Sequence, residues 1–459
     1  MSLAGRLRSL DRQFEEEIRA AGVPGATLAV MQGEEIFEVA AGVINRNTGV
    51  ETTTDSVFQI GSITKLFTAT LIMQLVEEGR VELDAPIWSY LPELHFADAR
   101  ATVEITVRQL LTHTGGIDGD FFEDTGRGDD CVARYILACR ALPQLHAPGK
   151  LFSYCNAGFM VLGRLIEKLR GTAWDDALRT YLLNRIGTER AGTYPEEALL
   201  HRTAVGHIEH PESGEALAAP VWRLPPSNGP AGSTAFATSR DLLRFAHAFL
   251  EEGRCKGETR ILEAKTVRES LATHFELPPF SIASAWGLGW MLFDWGEPLY
   301  GHDGATIGQA SFLRLVPGHN LAIALLTNGG DAAALYRSVF GGLLDELCGI
   351  SIPPRPAPDP GLDLDLSRYA GHYDRLSVGT RIEFVDQELR YTSTGLRGPM
   401  RLLPPTTGTL HAITREGFVL ESAGPLNGSA MSFLEFQPDG RPGYLMAGSR
   451  CAPRQPEAD

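Results

Sequence analysis

No run of about 18 consecutive apolar residues occurs anywhere in the sequence, so no transmembrane helix is expected. There is no CxxC pair. The six cysteines (Cys131, Cys139, Cys155, Cys255, Cys348 and Cys451) are scattered, which argues against a disulfide framework and against a zinc site. Nor is there any other His/Cys/carboxylate group at ligand spacing, so neither metal nor cofactor is expected. Positive charge is in short supply: 41 Lys and Arg face 57 Asp and Glu, a formal net charge of −16. That balance excludes nucleic acid as a partner, because phosphate binding needs clustered cations, and argues against an anionic membrane surface. At the N-terminus Arg6 and Arg8 are followed by Asp11, Glu15, Glu16 and Glu17 rather than by an apolar segment. No signal peptide is therefore expected, and with the scattered thiols this gives a reduced, cytoplasmic location as the expectation. Internal repeats and low-complexity segments are also missing.

What remains is an ordinary globular composition, 43% hydrophobic and 21% charged, long enough for about two or three domains. Residues 11–21 read as an amphipathic helix, and 26–31 and 36–42 as two strands about a turn. Apolar residues at helical steps (Leu66, Ala69, Leu71, Met73, Val76) predict a helix over 65–76 that stops at Gly79. From about 105 to 250 the periodicity is mostly helical, with an irregular Gly- and Asp-rich loop over 116–130, a helix over 158–169 and another over 239–250 with Ser239 as its cap. A hairpin over 309–316 and 321–327 and a helix over 332–347 follow. Strands, a helical block, then strands and a helix predict an α/β main domain: an antiparallel sheet flanked by helices, with an all-helical subdomain inserted, over residues 1–350. The proline-dense stretch 351–360 is a spacer. Six short strands separated by turn residues over 361–459 predict a small all-β barrel.

Three short stretches bear chemistry. In the first, Gly61-Ser62-Ile63-Thr64-Lys65, the serine and lysine stand three apart and share a face if a helix begins there. A serine hydroxyl needs a base to take its proton, and lysine serves only when burial or positive potential lowers its pKa. A helix cap beside a solvated lysine is the competing reading. The second stretch, Tyr154-Cys155-Asn156, precedes a helix. There the phenol, acidified if an ammonium is close, could share the base role or protonate a leaving group, while Asn156 could donate to a substrate carbonyl and hold the lysine. The third is His302-Asp303-Gly304-Ala305, placed before a strand. Its small residues would admit a substrate backbone, the Ala305 N–H could pair with that of Ser62 around an oxyanion, and His302 could act as a donor or relay.

Taken together these stretches, with Thr106-Val107-Arg108-Gln109-Leu110-Leu111-Thr112-His113-Thr114-Gly115-Gly116, resemble the class-C-like branch of the serine β-lactamase and penicillin-binding-protein superfamily. That branch includes D-peptidases, esterases and peptide-cyclising thioesterases. The resemblance covers roughly residues 10–350, and the segment 360–459 resembles the lipocalin-like barrel appended to some members. It implies that Ser62 is the acylated nucleophile, Lys65 its base, Tyr154 a partner in proton transfer and Asn156 a ligand for substrate amide. His302, Gly304 and Ala305 would line the substrate. His113 would belong to a structural turn. The departure lies in the third motif, where enzymes specialised for β-lactams or cell-wall peptides carry Lys-Thr-Gly. A neutral histidine binds a substrate carboxylate less well than lysine, which argues against efficient β-lactam hydrolysis.

The expected function is acyl transfer through a Ser62 acyl-enzyme, hydrolysing a small ester or a peptide containing D-residues. The alternatives are macrocyclisation of a nonribosomal peptidyl thioester, which would add a peptidyl carrier protein as partner, a weak β-lactamase, and, in a different class, a catalytically silent binding module.

Overall fold

The first long strand, β1 (Gly25–Gln32), is buried along almost its whole length, and its alternate residues serve two separate cores. Ala26, Leu28 and Val30 point to one, Ala29 and Met31 to the other. This is why its sequence shows no apolar–polar alternation: both faces are covered. It pairs with β2 (Glu35–Asn45) on one side, and on the other side β3 (Pro298–Thr306), β4 (Gln309–Val316) and β5 (Leu321–Thr327) extend an antiparallel sheet through the order β2-β1-β5-β4-β3. Short strands at both edges bring the sheet to nine strands among the described residues, which are 3–210, 213–397, 401, 404–423 and 426–456 of this computed structural model.

Helices α1 (Leu10–Ala20) and α5 (Ala332–Cys348) cover one face of the sheet; Leu10, Phe14 and Ile18 of α1 join Leu335, Val339, Phe340 and Leu344 of α5 in that core. Against the other face lies α2 (Thr64–Glu77), reached from a 3₁₀ turn over Gly61–Ile63. Twelve of its residues, including Thr68, Thr70 and Gln74, are buried, so it is a central helix rather than an amphipathic one. It packs against α3 (Asn156–Arg170) of the helical block, while α4 (Ser239–Leu250) lies directly on β1 and β5. The cap of α4 is Thr238, whose Oγ1 accepts from the Asp241 N–H at 3.0 Å, and Ser239 is the first helical residue. The expectation of Ser239 as cap is thus one residue off: Thr238 has the extended backbone a cap requires.

The C-terminal part is an eight-stranded antiparallel sheet in strict sequence order: β6 (Gly371–Asp374), β7 (Val378–Val385), β8 (Glu388–Gly395), β9 (Thr406–Ala412), β10 (Gly417–Ser422), β11 (Ala430–Phe436), β12 (Pro442–Ala447) and β13 (Arg450–Pro453). A single bridge between Tyr373 and Arg454 joins first strand to last and nearly closes a barrel. Its interior is filled by Tyr369, Tyr373, Leu389, Tyr391, Phe418, Phe433 and Leu445. The outer side of β11–β13 packs on the main domain: Leu434, Tyr444, Met446 and Cys451 enter the core shared by α1 and α5. The fold class is that anticipated, an α/β main domain with a helical block followed by a small all-β barrel. β6 and β13 are additions to the six expected strands.

Candidate active site

Ser62 lies in the 3₁₀ turn that opens α2, and Lys65 is on the first turn of the helix proper. The close approach of two backbones fixes that turn. Gly61 takes φ +49°, and a Cβ there would come 2.5 Å from Ala305 N. A Cβ on Gly304 would come 2.0 Å from the Ile60 carbonyl oxygen. Both positions therefore require glycine. Ser311 Oγ on β4 donates to that same Ile60 carbonyl at 2.8 Å. So β3 and β4 hold the turn from one side, and the partly exposed Ser62 faces the opening where Ala305 is exposed.

Lys65 is fully buried, with Nζ 3.0 Å from Ser62 Oγ and donating to the Ala231 carbonyl at 2.6 Å. Burial pushes its pKa well down, and the Arg450 guanidinium pushes it further in the same direction. The amine therefore gives up its proton more readily than an exposed lysine, and once free it has a lone pair for another. Tyr154 is 7% exposed, hydrogen-bonds Ser62, and has its ring centre 5.0 Å from Lys65 Nζ. The expectation of an acidified phenol is corrected: burial raises the Tyr154 pKa, outweighing the Ser62 hydrogen bond and Arg450, which lower it.

Two histidines flank the phenol. His113, in a left-handed turn at φ +56°, accepts the Cys155 N–H on Nδ1 at 3.0 Å and stacks on Tyr154 at 4.2 Å between ring centres. His302 on β3 is 1% exposed, with its ring 6.1 Å from that of Tyr154. Its Nδ1 donates to the Asp303 carbonyl at 2.6 Å, which leaves Nε2 as an acceptor. Burial lowers its pKa to about 3. The role of His302 as hydrogen-bond donor to substrate is thereby corrected, since its one proton is committed to the backbone.

Asn156, the first residue of α3, does not hold the lysine. Its Nδ2 donates to Asp120 Oδ1 at 3.0 Å. Asp120 is the centre of a group the sequence did not disclose. Arg450 grips it through Nε at 2.7 Å and Nη2 at 3.1 Å, and Arg375 adds a bond at 3.0 Å. Burial alone would raise the Asp120 pKa, but the two guanidinium groups hold it well below the usual carboxylate range. Both arginines come from the barrel. The turn between β12 and β13 lies on the main domain beside the site: Tyr154 N donates to the Ser449 carbonyl at 2.8 Å, Cys451 N to Ser153 Oγ at 3.1 Å, and Arg450 lies 5.0 Å from the Tyr154 ring centre. No spacing in the sequence could signal this, because Asp120 and Arg450 are 330 residues apart. Among the described residues no group of three or more His, Cys, Asp or Glu stands together as a metal site, and no helix is long and apolar enough to cross a membrane.

A serine hydroxyl beside a buried lysine amine, with a phenol hydrogen-bonded to the serine and a glycine-lined strand across the opening, defines a serine hydrolase built on a Ser-x-x-Lys pair. The chain belongs to the beta-lactamase family, whose model matches residues 10–340. It is 46% identical over 363 residues to penicillin-binding protein 4 of Amycolatopsis lactamdurans, covering 77% of this chain and 93% of that protein. The crystal structure of SurE superposes with a TM-score of 0.81 at 28% identity, over 98% of this chain and 99% of that one; SurE with D-Leu does so at 0.76 and 27%, over 98% and 100%. D-amino acid amidase from Ochrobactrum anthropi SV3, complexed with L-phenylalanine amide, matches with a TM-score of 0.62 at 25% identity, over 75% of this chain and 98% of that one.

Proposed function

We propose that this serine hydrolase acts on an ester, thioester or amide whose acyl group ends in a D-amino acid. Ser62 attacks the carbonyl, the neutral Lys65 amine takes its proton, and the acyl group passes to Ser62 as the leaving group departs. Tyr154, protonated in its buried setting, delivers a proton to the leaving atom and is reprotonated by the Lys65 ammonium that holds the proton taken from Ser62. The N–H groups of Ser62 and Ala305 hold the oxyanion, and Asn156 presents its carbonyl face to the substrate amide. Water then resolves the acyl-enzyme. The observation that carries this reading is the 3.0 Å separation of Ser62 Oγ from a lysine amine whose pKa burial pushes well down. The D-residue is supported by the likeness to the D-amino acid amidase and to SurE with D-Leu. Wild type should cleave N-acetyl-D-leucine p-nitrophenyl ester faster than its L-enantiomer and carry a fluorophosphonate adduct that Ser62→Ala abolishes. An adduct that survives Ser62→Ala, or none at all, would reduce the chain to a binding module.

A second reading replaces water by the substrate's own amine. It is favoured by the barrel hairpin, whose Arg450 lies over Tyr154 and adds protein surface beside the serine. Under that reading a peptidyl thioester gives a macrocycle, and a peptidyl carrier protein is the expected donor. Mass analysis of products from a peptidyl N-acetylcysteamine thioester distinguishes cyclic from linear.

A further inference from the structure

A cavity of about 650 Å³ lies at the mouth of the barrel, between its strands and two loops of the main domain. Phe121 and Phe122 from one loop and Phe280 and Ile282 from the other face Met431 and Leu445 from the barrel across it. The size is that of sites holding whole small molecules. Phe122, Ile282 and Leu426 on its border are 46%, 41% and 40% exposed, so the apolar surface continues out to solvent. Of the charged groups that line it, Asp120, Arg375 and Arg450 on the inner wall are committed to one another by the bonds described above, and Glu123 and Arg397 are exposed to solvent. What that wall offers a ligand is therefore apolar surface with a few hydroxyls. The same wall is part of the catalytic site, since Asp120 binds Asn156 and Arg450 covers Tyr154.

We propose that this cavity is a subsite for the acyl donor, taking an extended uncharged apolar segment remote from the scissile carbonyl, such as a fatty acyl chain or a run of apolar residues. It rests on the acyl-transfer reading above and adds to it a preference for long apolar donors, with the barrel as part of substrate recognition. Continuity with Asn156 carries the choice of the acyl side, because the residue that would bind the donor's amide is tied to the cavity wall.

The test compares N-acetyl- with N-octanoyl-D-leucine p-nitrophenyl ester. Wild type should favour the octanoyl ester by about tenfold or more in kcat/KM, the gain expected from burying several methylenes. Ser393 on β8 and Ala447 on β12 line the cavity from strands four apart in the eight-stranded order, hence from opposing walls. Ser393→Trp and Ala447→Trp should each reduce the preference to about twofold while leaving the acetyl ester within about twofold of wild type. No preference in wild type, or a preference that survives both substitutions in folded protein, overturns the proposal. An N-octanoyl-D-leucine amide with a terminal diazirine, photolysed on the unsubstituted enzyme, needs no variant. Cross-links to residues 120–123, 280–282 or the barrel strands support the subsite, and cross-links elsewhere refute it. Its binding to Ser62→Ala, followed by calorimetry, separates the two readings: binding without any acylation of the wild-type serine keeps the cavity and sinks the enzyme mechanism. A seven-residue apolar peptide on the same D-leucine ester, in place of octanoyl, tells a peptide donor from a fatty one.

Discussion

Arg450→Gln should make Lys65 more basic. Lys65 Nζ and Arg450 Cζ each lie 5.0 Å from the centre of the Tyr154 ring, so the two cations are at most about 10 Å apart. At an effective dielectric of about 20, unit charges at that distance repel by about 1.7 kcal/mol, which corresponds to roughly one pK unit. Asp120 offsets part of this in the wild type but remains paired with Arg375 when Arg450 is lost, so its negative potential persists. The sign follows directly. Removing a cation favours protonated Lys65, its depressed pKa rises, and less free amine is present at a given pH. The acid limb of kcat/KM for N-acetyl-D-leucine p-nitrophenyl ester should move up by roughly one pH unit. The rate deficit should be largest on the acid side and narrow as pH rises. Arg450→Lys keeps the charge and should leave the limb within about 0.3 units of wild type. A limb that stays put in a folded Arg450→Gln protein, or moves to lower pH, would refute the electrostatic argument.

Lys65→Met removes the base while keeping the volume apolar. Fluorophosphonate labelling of Ser62, followed by intact mass, should slow by roughly 10²- to 10⁴-fold and lose its acid limb. Gly304→Ala sets a Cβ 2.0 Å from the Ile60 carbonyl oxygen and must displace the turn carrying Ser62, so both kcat and melting temperature should fall, read by steady-state kinetics and a thermal melt. Asp120→Asn leaves Arg375 and Arg450 without their shared counter-charge, at a cost of about 3–5 kcal/mol, read as a lower urea midpoint. Because the folded-state pKa of Asp120 is depressed, its stabilisation is present above the usual carboxylate pKa and is lost as pH falls below about 4. The gap in midpoint between wild type and Asp120→Asn should therefore shrink on acidification.

Local order carried most of what the sequence disclosed. The serine and lysine share a face because three residues make nearly a turn, and the β4–β5 hairpin was visible because its turn, Pro317-Gly318, sits between two apolar runs. Where neighbours in space are remote in the chain, the reading failed. β13 is four residues long, begins with arginine and has no periodicity to detect, yet it supplies Arg450. Asp120 lay in a loop that looked merely polar. Thr238 and Ser239 are both good caps by type, and only backbone geometry chooses between them. The interface between barrel and main domain is likewise invisible in either part alone, since Cys451 and Met446 look like ordinary strand residues until they meet the α1–α5 core.

The phenol was misjudged for a reason that bears on mechanism. A charged lysine with a phenolate and a neutral lysine with a phenol contain the same number of protons. In water the choice between them is set by intrinsic pKa values, but in this site both groups are buried, and separating charge there costs several kcal/mol unless each ion is well paired. The carboxylate that most favours a lysine cation is Asp120, already held by two arginines, and Arg450 adds positive potential that opposes that cation. Of these two arrangements the neutral pair is therefore the favoured one. In the proposed mechanism Ser62 first gives its proton to Lys65, and Tyr154 acts as a donor once a leaving atom has begun to gain charge. The barrel takes part in that choice through one arginine side chain, which makes it an electrostatic component of the site as well as a wall.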